Sequence, residues 1–126
     1  MVFWNRWFGR KEDSPPETDD AGTHCVLIHL LLAAQWPSDD ETSRYHALQD
    51  ELEKRITDAG AGELDGDEWG EGECTIFLYG PDADRLWAAV APVLSRHRFP
   101  PGSWALKRFG GPDCERTERV QLGTGG

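Results

Sequence analysis

Residues 62–80 read GELDGDEWGEGECTIFLYG and join two opposite kinds of sequence. The first twelve hold six carboxylates (Glu63, Asp65, Asp67, Glu68, Glu71 and Glu73), four glycines and Trp69, with no basic residue. The last seven are rich in β-branched and aromatic side chains, the composition of a central strand. Gly70 and Gly72 punctuate the join and supply a turn. The pattern predicts a hairpin with a charged edge strand and an apolar inner one. Carboxylates along an outer strand also discourage pairing with a foreign sheet.

Upstream of the hairpin, Ser38 and Glu41 form an S-x-x-E capping box that opens a helix. Tyr45, Leu48, Leu52, Ile56 and Ala59 recur every three or four residues and mark its buried stripe; Gly60 and Gly62 end it. Before it, HCVLIHLLLA (24–33) is a short apolar run that reads as a strand buried on both faces. If Val26, Ile28 and Leu30 face the helices, Leu27, His29 and Leu31 face away, joined by Phe77 and Tyr79. Two apolar sides on the central strands predict a covered face, under the C-terminal tail, the aromatic N-terminus or another chain.

Downstream, Asp82 caps a second helix with Asp84 near its positive end, and Leu86, Val90, Val93, Leu94 and His97 line its inner side. Pro92 within that stripe should kink or shorten it. After Pro100-Pro101-Gly102, the alternating segment SWALKRF (103–109) forms another strand, and ERVQL (118–122) offers a short further one. The order βαββαβ predicts an α+β, ferredoxin-like fold: a four-stranded antiparallel sheet, five-stranded if 118–122 joins, with two helices on one face. In that arrangement the first and third strands are central, and these are the apolar ones; the charged second and fourth take the edges. Residues 24–122 form the single domain, 123–126 a frayed end, 1–11 a basic aromatic tail and 12–23 an acidic, proline-containing linker.

The runs GELDGDEWGEGECTIFLYGPDADRLW and KRFGGP resemble pieces of small bacterial proteins of ferredoxin-like shape. That resemblance implies the fold and a bacterial source, and carries over no catalytic residue. In charge and shape alone the chain is similar to acidic ribonuclease regulators and immunity proteins.

With 13 Lys+Arg against 23 Asp+Glu, the 126 residues carry a formal charge of −10. Such a surface repels nucleic acid and anionic lipid and attracts basic proteins. Residues 1–11, MVFWNRWFGRK, differ: removing the three charges of Arg6, Arg10 and Lys11 from −10 leaves −13 for the remainder. Phe3, Trp4, Trp7 and Phe8 would gather on one side of a helix, either as a weak membrane-surface contact or packed on the domain or a partner. Cys25, Cys74 and Cys114 are odd in number and lack a C-x-x-C pair, which favours reduced thiols in a cytoplasmic setting, with the tail permitting a position peripheral to the inner membrane. No apolar run has the length of a spanning helix, and no secretory leader pattern is present.

The chemistry motifs are incomplete. Asp65, Asp67 and Gly70 match three positions of a calcium loop, but Trp69 and Ile76 occupy two ligand positions. No nucleophile elbow or phosphate loop occurs, and the histidines His24, His29, His46 and His97 share no local signature. His24 and His29, five apart on one strand, point to opposite faces. The expectation is therefore a protein without cofactor, metal or active site that binds a partner with a basic surface. Glu63, Asp65, Asp67, Glu68, Trp69, Glu71 and Glu73 are the candidate contacts, and Trp69 the anchor. A homodimer is a further expectation. The alternatives are a membrane-associated accessory held by its tail, or a small-molecule or cation sensor.

Overall fold

The computed structural model describes residues 23–111 and 114–123. The chain runs β1 (His24–Leu31), α1 (Asp39–Ala59), β2 (Glu63–Gly70), β3 (Glu73–Gly80), α2 (Ala83–Ser95), β4 (Trp104–Arg108) and β5 (Thr117–Gln121). The strands form one antiparallel sheet in the order β2-β3-β1-β4-β5. This is the ferredoxin-like βαββαβ arrangement, extended by β5 outside β4. The fifth strand is therefore real, and β4 is interior where a four-stranded sheet would have placed it at an edge. The new edge, TERVQ, is polar and exposed except for Val120, which suits a strand with one unpaired side.

Local chemistry explains where the helices start. Ser38 caps α1: its Oγ accepts the Glu41 N–H at 3.1 Å, and Glu41 Oε1 accepts the Ser38 N–H at 2.9 Å. Glu41 Oε2 also accepts the Ala33 N–H at 2.9 Å, which ties the helix start to the end of β1. Asp82 caps α2 by accepting the Asp84 N–H, and His24 Nδ1 accepts the Ala83 N–H at 2.9 Å. The first residue of β1 thus completes the start of α2. Pro92 lies inside α2 without ending it; the helix stops at Ser95, short of His97.

Tyr45, Leu48, Leu52 and Ile56 of α1 and Leu86, Val90, Val93 and Leu94 of α2 join Val26, Ile28, Leu30, Cys74, Ile76, Leu78 and Ala105 in one core. Each fully buried Leu, Ile or Val contributes about 1.5–3 kcal/mol against the entropy of ordering the chain. A second, smaller cluster comprises Cys25, Phe77 and Tyr79 with Leu27 against them. All four belong to β1 or β3, on the side away from the helices.

The register assigns every side chain a face. One row across the sheet holds Glu68, Thr75, His29, Trp104 and Gln121; the next but one holds Phe77, Leu27 and Leu106. In β2 the register shifts between Leu64, opposite Leu78, and Gly66, opposite Phe77, so Asp65 is a bulged residue. Simple alternation would put Glu63, Asp65 and Asp67 on one side. The bulge separates them: Glu63 lies in the row of Tyr79, and Asp67 lies in the row of Ile76, on the helix side.

Candidate functional site

The β2–β3 hairpin closes with a two-residue loop, Glu71-Gly72, between the paired Gly70 and Glu73. Both loop residues have positive φ, 54° and 83°, the conformation of a type I′ turn. Gly72 adopts it freely. Glu71 carries a Cβ and pays for the left-handed backbone. Two hydrogen bonds lash the turn to the β1–α1 connection: Leu32 N–H donates to Gly72 O at 2.8 Å, and Gly72 N–H donates to Gln35 O at 2.9 Å. The next residue, Trp36, is held beside the hairpin and is 65% exposed.

A cleft of about 330 Å³ opens at this end of the sheet, lined by His29, Glu68, Trp69, Glu71, Glu73 and Thr75 among others. His29 forms its floor. Its Nδ1 lies 3.1 Å from Glu73 Oε1 and 3.1 Å from Thr75 Oγ1, and its ring stacks on Trp104 at 4.1 Å. The Arg119 guanidinium sits over the same Trp104 ring at 4.0 Å. A hydroxyl–imidazole–carboxylate relay needs its nucleophile and its carboxylate on different ring nitrogens. Here both meet Nδ1, so Thr75 is not activated and the arrangement orients the ring.

Of the carboxylates expected to meet a partner, Glu68, Glu71 and Glu73 come together around this cleft. Among the described residues no Lys or Arg pairs with any of the three; Glu73 meets only His29. Glu63 lies at the other end of β2, beside a second cleft of about 310 Å³ bordered by Thr23, Tyr79 and Pro81. Asp67 faces α1, where its Oδ2 accepts from Gln49 Nε2 at 2.6 Å with His46 at 3.8 Å. Asp65 is buried. Trp69 packs on α1, its ring 6.1 Å from Tyr45 and 5.7 Å from His46, so it shields the edge of the core while its rim reaches the cleft. Phe3, Trp4, Trp7 and Phe8 lie outside the described residues.

Two residues join the site that the hairpin sequence did not point to. His29 could be assigned to the helix-free face by parity, but its partners come from two other strands and depend on register. Trp36 belongs to a Trp-Pro-Ser turn signal, in which the tryptophan is easily read as punctuation.

The lysine of the sheet is used elsewhere. Lys107 is buried on the helix side between Asp84 at 2.9 Å and Glu118 at 3.1 Å. Burial pushes the Cys25 thiol up to about 12, against a small opposing pull from Arg108, and raises Cys74 as well. Neither is a thiolate nucleophile. Among the described residues, no three His, Cys, Asp or Glu side chains are grouped to hold a metal, and no helix is long and apolar enough to cross a membrane.

No family model matches the chain, and no curated protein or solved structure matches it. Fold and site therefore define the class on their own: a ferredoxin-like α+β domain with an acidic cleft and an exposed tryptophan at one end of its sheet.

Proposed function

We propose that the protein is a non-catalytic interaction module of the cytoplasm that binds a basic surface of another protein through the hairpin end of its sheet. The observation that carries this reading is the convergence of Glu68, Glu71 and Glu73 on one cleft, without a Lys or Arg partner among the described residues, next to exposed Trp36. An arginine suits that combination best. Its guanidinium bonds a carboxylate in two places and stacks on an indole. The net charge of −10 would steer such a partner in and make the association sensitive to salt. The strained backbone at Glu71 fits the same reading, since an asparagine or glycine would relieve it but would remove a carboxylate from the cleft. An inhibitor or immunity-like role follows where the partner's basic surface is the substrate cleft of a nuclease.

The test is binding of a fluorescent arginine-rich peptide, followed by anisotropy at low and high salt. The triple variant Glu68→Gln/Glu71→Gln/Glu73→Gln should weaken binding by about tenfold or more, a loss of about 1.4 kcal/mol. A control neutralising Asp50, Glu53 and Asp58 on the exposed side of α1 changes net charge equally and should lose much less. Equal losses in the two triples would show a diffuse field and no site.

A further inference from the structure

His29, the floor of the acidic cleft, belongs to a stack that continues across the sheet. Its ring lies on Trp104 of β4 at 4.1 Å, and the guanidinium of Arg119 from β5 lies over Trp104 at 4.0 Å. β4 separates β1 from β5, so the imidazole and the guanidinium approach the indole from its two sides. The register puts all three on the helix-free face: Trp104 pairs with His29, and Arg119 pairs with Leu106, opposite Leu27. Contacts of 3.1, 4.1 and 4.0 Å in series place the Glu73 carboxylate and the Arg119 guanidinium at most about 12 Å apart, across an aromatic floor. Resting on the reading of the cleft as an arginine site, we propose that the cleft and Arg119 are two halves of one site of opposite charge. The partner segment then carries an arginine for the cleft and, about four residues from it, an aspartate or glutamate for Arg119.

Three features select this complement. The first is the state of Arg119. It is exposed, and among the described residues no carboxylate pairs with it. Glu118, the next residue, points to the helix side and is taken by Lys107. A guanidinium held over an indole engages the face of its plane and keeps its N–H fork open to a carboxylate. The indole also fixes the cation, so less side-chain freedom remains to be lost on binding. The second feature is the spacing. An extended segment turns every second side chain to the same side at about 3.4 Å per residue, so residues i and i+4 stand about 14 Å apart. That matches the gap between the two charges more nearly than i and i+2, at about 7 Å. The third is discrimination. The net charge of −10 attracts any basic segment, whereas Arg119 repels one that carries arginines throughout. A repulsive element of this kind is what separates one basic partner from another.

The test compares two fluorescent peptides, Arg-Ser-Ser-Ser-Glu and Arg-Ser-Ser-Ser-Arg, capped at both ends, by anisotropy at low salt with the full chain. The ratio of their dissociation constants is read in wild type, in Arg119→Glu and in Arg55→Glu, which makes the same change of charge on the exposed side of α1. Arg119→Glu should shift the preference toward the two-arginine peptide by about tenfold, because charge is exchanged on both sides of the contact. Arg119→Gln should give part of that shift, and Arg55→Glu less than about twofold, since a distant charge is screened. In Arg-Glu-Ser-Ser-Ser the two charges are adjacent, and Arg119→Glu should weaken its binding less than that of Arg-Ser-Ser-Ser-Glu. A preference unchanged by Arg119→Glu, a shift of equal size in Arg55→Glu, or an equal response of the adjacent-charge peptide overturns the proposal. The triple variant Glu68→Gln/Glu71→Gln/Glu73→Gln separates the two readings. If it binds both peptides as wild type does, the arginine cleft falls and its second half with it. If it loses binding while Arg119→Glu changes nothing, the cleft stands and only the role of Arg119 is lost.

Discussion

Glu41 shows how one side chain can hold two elements together. Its carboxylate closes the capping box of α1 and also accepts the Ala33 N–H at the end of β1. The backbone bond from Ser38, then the one from Ala33, hold its carboxyl below the ordinary glutamate value of 4.5. A carboxyl depressed on folding contributes stability that is present above its unfolded value and lost as the pH falls through its folded one. Glu41→Ala should therefore cost about 1–2 kcal/mol at pH 7, and the gap from wild type should narrow in acid, below the usual glutamate range. Urea denaturation at pH 7 and pH 3 measures this, and an equal cost at both would contradict it. Glu71 runs the other way. Glu71→Asn places the residue preferred in a type I′ turn and should stabilise the fold by about 1 kcal/mol. The same variant should bind the arginine-rich peptide more weakly, because stability and the cleft make opposite demands on that position.

At the scale of elements, α2 poses a conflict that magnitudes settle. Pro92 removes one helical N–H, at a cost of up to about 3 kcal/mol in a helix interior. It also restricts the unfolded chain, which returns about 0.4–1 kcal/mol. Its place in the last turn and a half reduces the first term without reversing the balance. Pro92→Ala should then raise stability by about 1–2 kcal/mol, read as a higher denaturation midpoint with an unchanged slope. Helix starts and strand faces were legible in the sequence because capping boxes and alternation are local. Ser38 and Glu41 are three residues apart, and Val26, Ile28 and Leu30 need no partner to declare a common side. The bulge at Asp65 was not legible. An extra residue in a strand carries no chemical mark when its neighbours are Leu64 and Gly66, and only the pairing with β3 reveals that parity changes there. That change decided the site, since it turned Asp67 and Trp69 toward α1 and left Glu68 on the open side. Trp36 escaped for a similar reason: the bond from Gly72 to Gln35, which holds its neighbour beside the hairpin, is a long-range one.

At the scale of the whole molecule, Lys107 ties α2 to the outermost strand. It reaches from β4 to Asp84 on one side and Glu118 of β5 on the other. Among the described strands β5 pairs only with β4, over five residue pairs against the seven that join β2 to β3. The hydrogen bond to Asp84, then the one to Glu118, raise the lysine above its ordinary value of 10.5, and the same contact lowers Asp84 below 3.8. A lysine raised on folding stabilises fully below its unfolded value and loses that contribution as the pH climbs through its folded one. For the depressed Asp84 the loss comes as the pH falls through its folded value. The bridge is thus at full strength across the whole range between the two groups and weakens at both ends. Both carboxylates are more than half exposed, so water can take them over and global stability should change little on removing the cation. Lys107→Met keeps the buried stem and deletes the charge. Amide hydrogen exchange at neutral pH should then quicken several-fold at Glu118 and Val120, which face β4 in the hydrogen-bonded pairs of the ladder, while β1 and β3 stay protected, because opening an edge strand needs no global unfolding. Uniform acceleration across the sheet would instead mean that Lys107 holds the core, and unchanged exchange in β5 would mean that the β4 ladder suffices alone.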